Sequence, residues 1–377
     1  MTSSRPSLRI GVACFSTFGG SGVIASEIGM ALGRRGHRVC FLSDKTPARL
    51  DLSSANVVFH EVALLDYPVL AHQSYALALT AKMIEVARTE ELDLFHLHYA
   101  VPHAVSAFLA RQVLGTNVPK ILTTLHGTDV TQVGADPRFQ PLTQFTVRAS
   151  DGITSPSRWL AEEAYRNLGL ARDVAIEVIP NFVDTDRFCL PAGTRRNPTR
   201  PRVLTHTSNF RPLKRVDDVV RIFAMVRNEI PALLQLVGDG PERPRIEAQV
   251  HSLGLSDHVR FLGDQVELVE LLQGSDVFLL PSTTESFGLA ALEAMACGVP
   301  VVASNVGGVS ELVTDGEVGF LAPAGDVAAM AGHVLRLLTD DSLHRRLSQS
   351  ARHRAESQFQ LEPAADRYEA AYRRMLA

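Results

Sequence analysis

The sequence predicts an α/β protein made of two Rossmann-like domains, each with a parallel sheet. Three observations carry that prediction. Short apolar runs of strand length alternate with longer segments of helical spacing, the pattern of βαβ units with right-handed crossovers. The alternation is interrupted once, by the Pro-, Gly- and Arg-rich run Pro191 to Pro201, and then restarts. A length of 377 residues is enough for two domains with a core each.

Leu8 to Phe15 reads as the first strand, and Phe18-Gly-Gly-Ser-Gly22 as a flexible turn. Val23, Ile24, Ile28, Ala31 and Leu32 have helical spacing, and Gly36 ends that helix before a strand at Val39 to Leu42. A helix follows from Ser74 to Thr89, then a strand from Leu92 to His98. Pro102 opens a helix that Gly115 caps. Lys120 to Leu125 is a strand ending in His126-Gly-Thr-Asp129. A helix at Leu142 to Ala149 leads to the strand Gly152 to Ser155, and Ser157 can cap a helix reaching Leu168. The second half reads as strand Val203 to Thr207, helix from Val216, strand Leu233 to Val237 and helix from Arg243. Strands follow at Val259 to Leu262, Val277 to Leu280 and Val299 to Ala303, and Glu362 to Leu376 is an amphipathic helix. The domains are expected at 1–172, completed by 360–377, and at 173–359.

Composition narrows the function classes. The chain is 46% hydrophobic and 21% charged with a net charge of −4, which gives no electrostatic case for nucleic-acid binding. No apolar run approaches the ~18 residues of a membrane span, and the N-terminus does not read as a signal peptide. Cys14, Cys40, Cys189 and Cys297 are scattered without metal-ligand or disulfide spacing. The expectation is a cytoplasmic protein that binds neither nucleic acid nor membrane, with self-association into a homo-oligomer allowed.

The chemistry is concentrated in Pro281-Ser-Thr-Thr-Glu285-Ser-Phe-Gly-Leu-Ala-Ala-Leu-Glu293-Ala-Met-Ala-Cys-Gly-Val-Pro300. A buried strand enters a polar loop, and Gly288 opens an apolar helix, Leu289 to Ala296, that stops at Gly298. The first amides of such a helix have no partners within it and make an anion site. Glu285 falls beside the helix mouth and Glu293 about two turns deeper. A nucleotide sugar fits this pattern, with its diphosphate on the amides, one acid for sugar hydroxyls and one for the ribose diol. Ser-Phe-Gly-Leu-x-x-Leu-Glu-Ala-Met-Ala-Cys-Gly-Val-Pro-Val-Val-Ala resembles the donor-site signature of the retaining glycosyltransferases of family 4, which have the two-domain GT-B fold.

The resemblance implies sheets facing across a cleft, with the last helix crossing back onto the N-terminal domain. It implies donor contacts from Phe287, Gly288 and Leu289 beside Glu285 and Glu293. Gly19 and Gly20 approach the diphosphate, Gly238 backs the nucleotide, and the backbone from Gly263 to Val266 reads the uracil edge. In Ser208-Asn-Phe-Arg-Pro-Leu-Lys-Arg-Val, Lys214 falls on the family's diphosphate lysine. Asn209 takes the usual arginine position, and Arg211 is the candidate second cation. The same resemblance makes His126 an active-site residue touching the transferred sugar. With cations and amides on the diphosphate, no metal or cofactor is expected. His96 and His98 share a strand face near His103, but no carboxylate or Cys completes a metal-ligand set.

Four further stretches, around Phe18, Phe95, Leu122 and Ser208, are similar to the members of that family that join UDP-N-acetylglucosamine to L-malate in bacillithiol biosynthesis. A dicarboxylate acceptor needs donors and positive charge. Ser21, Tyr99 and Thr124 are the candidate donors. The subgroup's arginine is replaced by Gln144, so Arg148, one turn on, and Arg138 are the candidate cations. Three rival readings remain. Gly20-Ser-Gly22-Val-Ile-Ala25, with Asp44 beyond it, fits a dinucleotide fingerprint and would make the chain an NAD-dependent oxidoreductase. An inositol phosphate acceptor would call for more Lys and Arg on the acceptor loops than the sequence shows. A UDP-N-acetylglucosamine 2-epimerase would not be expected to carry the Glu-x7-Glu helix.

Overall fold

The computed structural model describes residues 6–17, 19–64, 74–116, 118–190 and 200–377. Phe18 of the Gly-rich turn and residues 191–199 of the breaker-rich run lie outside them. The chain divides into two compact units, Met1–Pro180 with Leu361–Ala377, and Asn181–Gln360. The boundary falls past the division expected after residue 172, because Glu177–Val178 still pairs with the first sheet.

The first unit is a seven-stranded parallel sheet. Its strands are β1 (Arg9–Ala13), β2 (Arg38–Ser43), β3 (Val57–Glu61), β4 (Leu94–His98), β5 (Lys120–Thr124), β6 (Gly152–Ser155) and β7 (Glu177–Val178), in the order β3-β2-β1-β4-β5-β6-β7. Strand order therefore reverses between β1 and β4, which pair in register from Ile10↔Leu94 to Ala13↔Leu97. Two of these strands were not legible in the sequence. β3 carries Val-Val-Phe-His-Glu without clean alternation, and β7 is two residues long.

The helix after β1 runs from Gly20 to Arg34 and is buried from Ser21 to Gly33. It starts earlier than the expected Val23, so most of the Gly-rich stretch is helix rather than turn. Gly22 has a packing reason: a Cβ there would sit 2.8 Å from the Phe15 carbonyl oxygen and 2.9 Å from that of Thr17. The Leu361–Leu376 helix completes this unit. Arg35 holds its first turn through Glu362 and Asp366, the latter at 2.8 Å, while Tyr368 and Tyr372 are buried.

The second unit has six parallel strands: β8 (Arg202–Thr207), β9 (Ala232–Val237), β10 (Val259–Gly263), β11 (Val277–Leu280), β12 (Val301–Ser304) and β13 (Gly319–Ala322), in the order β10-β9-β8-β11-β12-β13. Here the order reverses between β8 and β11. Both sheet faces are covered at β11, which reads as an unbroken apolar run, Val277-Phe-Leu-Leu280. In β11, Val277 and Leu279 join one core with Val219, Phe223 and Val334, while Phe278 and Leu280 join the other with Leu292 and Met295. Burial this complete makes Leu292→Ala cost about 2–5 kcal/mol. The sequence reading missed β13 and the helices Val327–Thr339 and Asp341–Gln358. Asp326 and Asp340 cap those helices through side-chain bonds to backbone amides.

Candidate active site

In open α/β sheets, ligands bind beyond the carboxyl ends of strands where strand order reverses. In the second unit that point lies between the loops after β8 and β11. Thr283 N–H donates to the Leu213 carbonyl at 2.9 Å and ties the loops together. Lys214 Nζ lies 2.6 Å from Glu285 Oε1, and Ser282 Oγ donates to the same oxygen at 2.9 Å. The pair is largely sheltered, with side-chain exposures of 20% and 10%. Glu285 Oε2 has no protein partner among the described residues, so one carboxylate oxygen remains for a ligand. The loop cannot easily shift. Gly308 N–H bonds the Glu285 carbonyl at 2.9 Å, and a Cβ on Gly307 (φ 56°) would overlap that carbonyl.

Phe287 is buried edge-on against Phe359, and Gly288 takes a left-handed φ of 98° to start the Leu289–Ala296 helix. The amides of Leu289, Ala290 and Ala291 have no carbonyl within that helix to bond. Glu293 sits inside the helix at 4% exposure. Asn209 and Arg211 are exposed on either side of Phe210, which is fully buried and anchors the loop through Phe210 N–H to the Asp239 carbonyl at 2.9 Å. Arg211 has no ion pair among the described residues.

Gly238 meets a different need from the one expected. A Cβ there would overlap the Ser208 carbonyl, and its N–H already bonds the Gly263 carbonyl at 2.7 Å. That amide and that carbonyl hold two loops together. Val266 beyond them is exposed.

One residue in this unit escaped the sequence reading. His206 in β8 is fully buried, donates from Nδ1 to the Leu279 carbonyl at 2.8 Å, and accepts from Ser208 Oγ at Nε2, also 2.8 Å. Burial pushes its pKa down to about 4. A neutral ring thereby fixes the Ser208 hydroxyl at the start of the Lys214 loop.

In the first unit the strand ends gather rings. Tyr99 follows β4 with φ 95°, a conformation that strains a non-glycine residue. It places the Tyr99 ring 5.3 Å from Phe15 and 5.1 Å from His126. The His126 backbone is fixed by buried Asp129, whose Oδ1 accepts from the His126 amide (3.1 Å) and the Gly127 amide (2.9 Å), while Oδ2 accepts from Ala100 (3.2 Å). Burial raises the Asp129 carboxyl above the usual range, against the pull of those amides. Beneath His126, His98 Nδ1 lies 2.9 Å from His126 Nε2. His96 bonds Thr124 Oγ1 at 2.7 Å through Nε2 and the Tyr372 hydroxyl at 2.8 Å through Nδ1. His103 donates from Nδ1 to the His98 carbonyl at 2.6 Å. Burial pushes His96 and His126 down to about 3, His103 to about 4, and His98 well below its usual value, so all four rings are neutral near pH 7.

The candidate acceptor residues divide accordingly. Tyr99 is partly exposed beside His126, and Ser21 is buried in the first turn of its helix. Thr124 is not an open donor: it is 1% exposed, and its hydroxyl bridges His96 and Thr154, the latter at 2.6 Å. Arg148 is exposed without an ion pair among the described residues, whereas Arg138 is held by Asp136 at 2.6 Å. Gln144 turns to the Gly169 carbonyl at 3.2 Å. Gly19 is the N-cap of the Gly20–Arg34 helix, and Gly20 is exposed as its first residue. The dinucleotide reading needs its glycines in a tight turn directly after the strand, but here the first turn of a helix holds Gly20 and Gly22, well past the end of β1 at Ala13.

For a metal, His96 has both ring nitrogens taken by Thr124 and Tyr372, while His98 and His126 engage each other. Cys40, His60 and Glu90 do bring ligand atoms within 4.8 Å. Glu90 there is paired with Arg38 at 3.1 Å, and burial pushes the Cys40 thiol up to about 12. The trio therefore reads as the surroundings of an ion pair.

Two parallel-sheet units of this topology are those of a GT-B glycosyltransferase. Residues 18–187 match the family model described as Glycosyltransferase Family 4, and residues 194–354 match Glycosyl transferases group 1. The chain is 42% identical over 370 residues to N-acetyl-alpha-D-glucosaminyl L-malate synthase of Bacillus anthracis, covering 97% of this chain and 96% of that one. It is 33% identical over 291 residues to D-inositol 3-phosphate glycosyltransferase of Salinispora arenicola, covering 70% and 64%. The solved sucrose-phosphate synthase of Thermosynechococcus elongatus shares the fold, with a TM-score of 0.79 at 24% identity over 98% of this chain and 99% of that one. The chain belongs to glycosyltransferase family 4 and is an enzyme of that class. No helix among the described residues is long and apolar enough to cross a membrane.

Proposed function

We propose that the enzyme transfers N-acetylglucosamine from UDP-N-acetylglucosamine to the hydroxyl of L-malate with retention, giving an α-linkage, as the first step of bacillithiol synthesis. The observation that carries this reading is 42% identity across 97% of the chain to the malate synthase, which takes in the whole acceptor half as well as the donor half.

In this reading the second unit holds the donor. Lys214, Arg211 and the first amides of the Leu289–Ala296 helix neutralise the diphosphate, Asn209 and the backbone near Val266 border the nucleotide, and Glu293 takes the ribose diol. Glu285, steadied by Ser282 and Lys214, accepts from sugar hydroxyls through its open oxygen. The first unit holds the acceptor, with Ser21 and Tyr99 as donors, Arg148 as the carboxylate cation and His126 against the transferred sugar. Malate's hydroxyl oxygen bonds C1 on the face the phosphate leaves, through an oxocarbenium-like state. The C1–O bond to phosphate breaks, and the departing β-phosphate oxygen takes the hydroxyl proton. The charge that develops on UDP is met by fixed cations and amides, so no metal is assigned a part. We place the reaction in the cytoplasm, in keeping with four unpaired cysteines.

The test is UDP release from UDP-N-acetylglucosamine with malate, an inositol phosphate or no acceptor, each with and without EDTA. Release stimulated by malate and indifferent to EDTA is expected. Release driven by the inositol phosphate, the acceptor class of the Salinispora relative, would overturn the acceptor.

A further inference from the structure

His126 offers a ligand only one ring nitrogen. Its Nε2 faces His98 Nδ1 at 2.9 Å, and no protein group among the described residues meets its Nδ1. Because burial holds both rings neutral, a single proton lies between them. Whichever ring donates decides whether His126 shows its ligand an N–H or a lone pair.

We infer that His98 is a positioning residue that donates its Nδ1 proton to His126 Nε2 and so fixes His126 as the Nδ1–H tautomer, a hydrogen-bond donor toward bound substrate. One observation sets the direction. His98 Nε2 is buried without a partner, so one nitrogen of that ring goes unsatisfied in either tautomer. With the proton on Nδ1 the orphan is a lone pair. With the proton on Nε2 it is a buried N–H, the rarer defect in folded proteins. The His98 ring is also packed against a fixed neighbour. The His96 ring lies 4.3 Å from it, and His96 is itself pinned between the Tyr372 hydroxyl and Thr124. On the other side the His98 carbonyl accepts from His103 Nδ1. Nδ1 is the atom of this ring that faces His126, at 2.9 Å.

The consequence deepens the proposed function and rests on it. His126 is placed against the transferred sugar, whose carbonyl, ring and hydroxyl oxygens can each accept from an N–H at Nδ1, whereas a lone pair there could meet only a hydroxyl that donates. His126 then acts as a neutral donor to an oxygen, and the proton of the malate hydroxyl leaves with the phosphate, not through this ring.

The experiment is two-bond proton–nitrogen correlation NMR on the full-length protein labelled with 15N-histidine. The His126 signals are those lost in His126→Asn. Expected is a protonated Nδ1 and a bare Nε2 for His126; a protonated Nε2 overturns the inference. His98→Leu should release the tautomer and lower kcat/KM about tenfold, the worth of one hydrogen bond. In His98→Asn the side-chain amide places an N–H where Nδ1–H stands, so it should keep the His126 tautomer and recover most of that loss. Equal losses in the Leu and Asn variants would also overturn the inference. If the NMR result is as expected but both variants turn over at the wild-type rate, the tautomer device stands and the assignment of His126 to the reaction falls.

Discussion

At the reversal of strand order in the second unit stand Lys214 and Glu285, an ion pair 2.6 Å long on two neighbouring loops. The first unit gathers His96, His98, His103 and His126 at its strand ends, all buried and all uncharged near pH 7. The same sheet topology thus supports a charged site in one unit and a site of oriented neutral rings in the other. The difference matches what each is proposed to hold. A leaving diphosphate needs fixed charge close by. A dicarboxylate acceptor needs oriented donors beside its proposed cation Arg148, and neutral rings supply orientation without adding charge.

The contrast can be broken most directly at its charged end. Lys214→Met or Glu285→Gln should each lower kcat by about 10²–10³, the scale set by losing a group that meets developing charge. Steady-state rates with UDP-N-acetylglucosamine and malate would show it, and near-normal rates in both would remove the donor assignment.

The neutral end should instead show itself in acid. Each buried ring has a pKa below the unfolded value of 6.5, so the unfolded chain takes up protons first as pH falls. Stability from these rings is complete above pH 6.5 and is lost toward pH 3–4, by roughly 1.4 kcal/mol per pH unit for each ring. His37 and His60 in the first unit are shifted the same way as these four rings, against His206 and His333 in the second, and Asp129, shifted upward, offsets part of the difference. The first unit should therefore unfold first on acidification. Trp159, the only tryptophan, lies in that unit, so its fluorescence should change at higher pH than the far-UV circular dichroism of the whole chain. Coincident transitions would break the contrast.

Smaller effects sharpen it. Tyr372→Phe removes the hydroxyl that meets His96 Nδ1 and should cost about 1–2 kcal/mol in denaturant unfolding followed at Trp159. Arg148→Gln should raise the KM for malate several-fold (order of magnitude, about 1 kcal/mol), with the donor KM unchanged. Arg138→Gln should do least, because Asp136 already holds that guanidinium at the surface.

How much of this was legible depended on whether the residues were neighbours in the chain. Lys214, Glu285, Gly288 and Glu293 announce themselves because each sits in a short motif with a physical reason for its spacing. The alternation of strands and helices exposed the two-sheet plan for the same reason, since apolar period is a local property. The ring cluster is not local. His98 and His126 meet only because β4 and β5 pair from Leu94↔Lys120 to His98↔Thr124, and Tyr372 arrives from the far end of the chain. Thr124 was misjudged because its place at a strand end does not reveal that its hydroxyl already bridges two partners. Gly238 has a packing reason that its sequence did not show, since a glycine that lets a ligand approach and one that lets Ser208 approach look alike in sequence. His206 gave no signal, being one of several polar residues in β8, whose sequence is Arg-Val-Leu-Thr-His-Thr.

One feature of chain order carries a consequence for how the molecule is made. The second unit is a continuous stretch, Asn181–Gln360, whereas the first needs Leu361–Ala377 to finish. During synthesis the earlier-translated sheet must wait, its face open where Tyr368 and Tyr372 will dock, until the whole later domain has emerged. The acceptor unit is therefore completed only after the donor unit has been made.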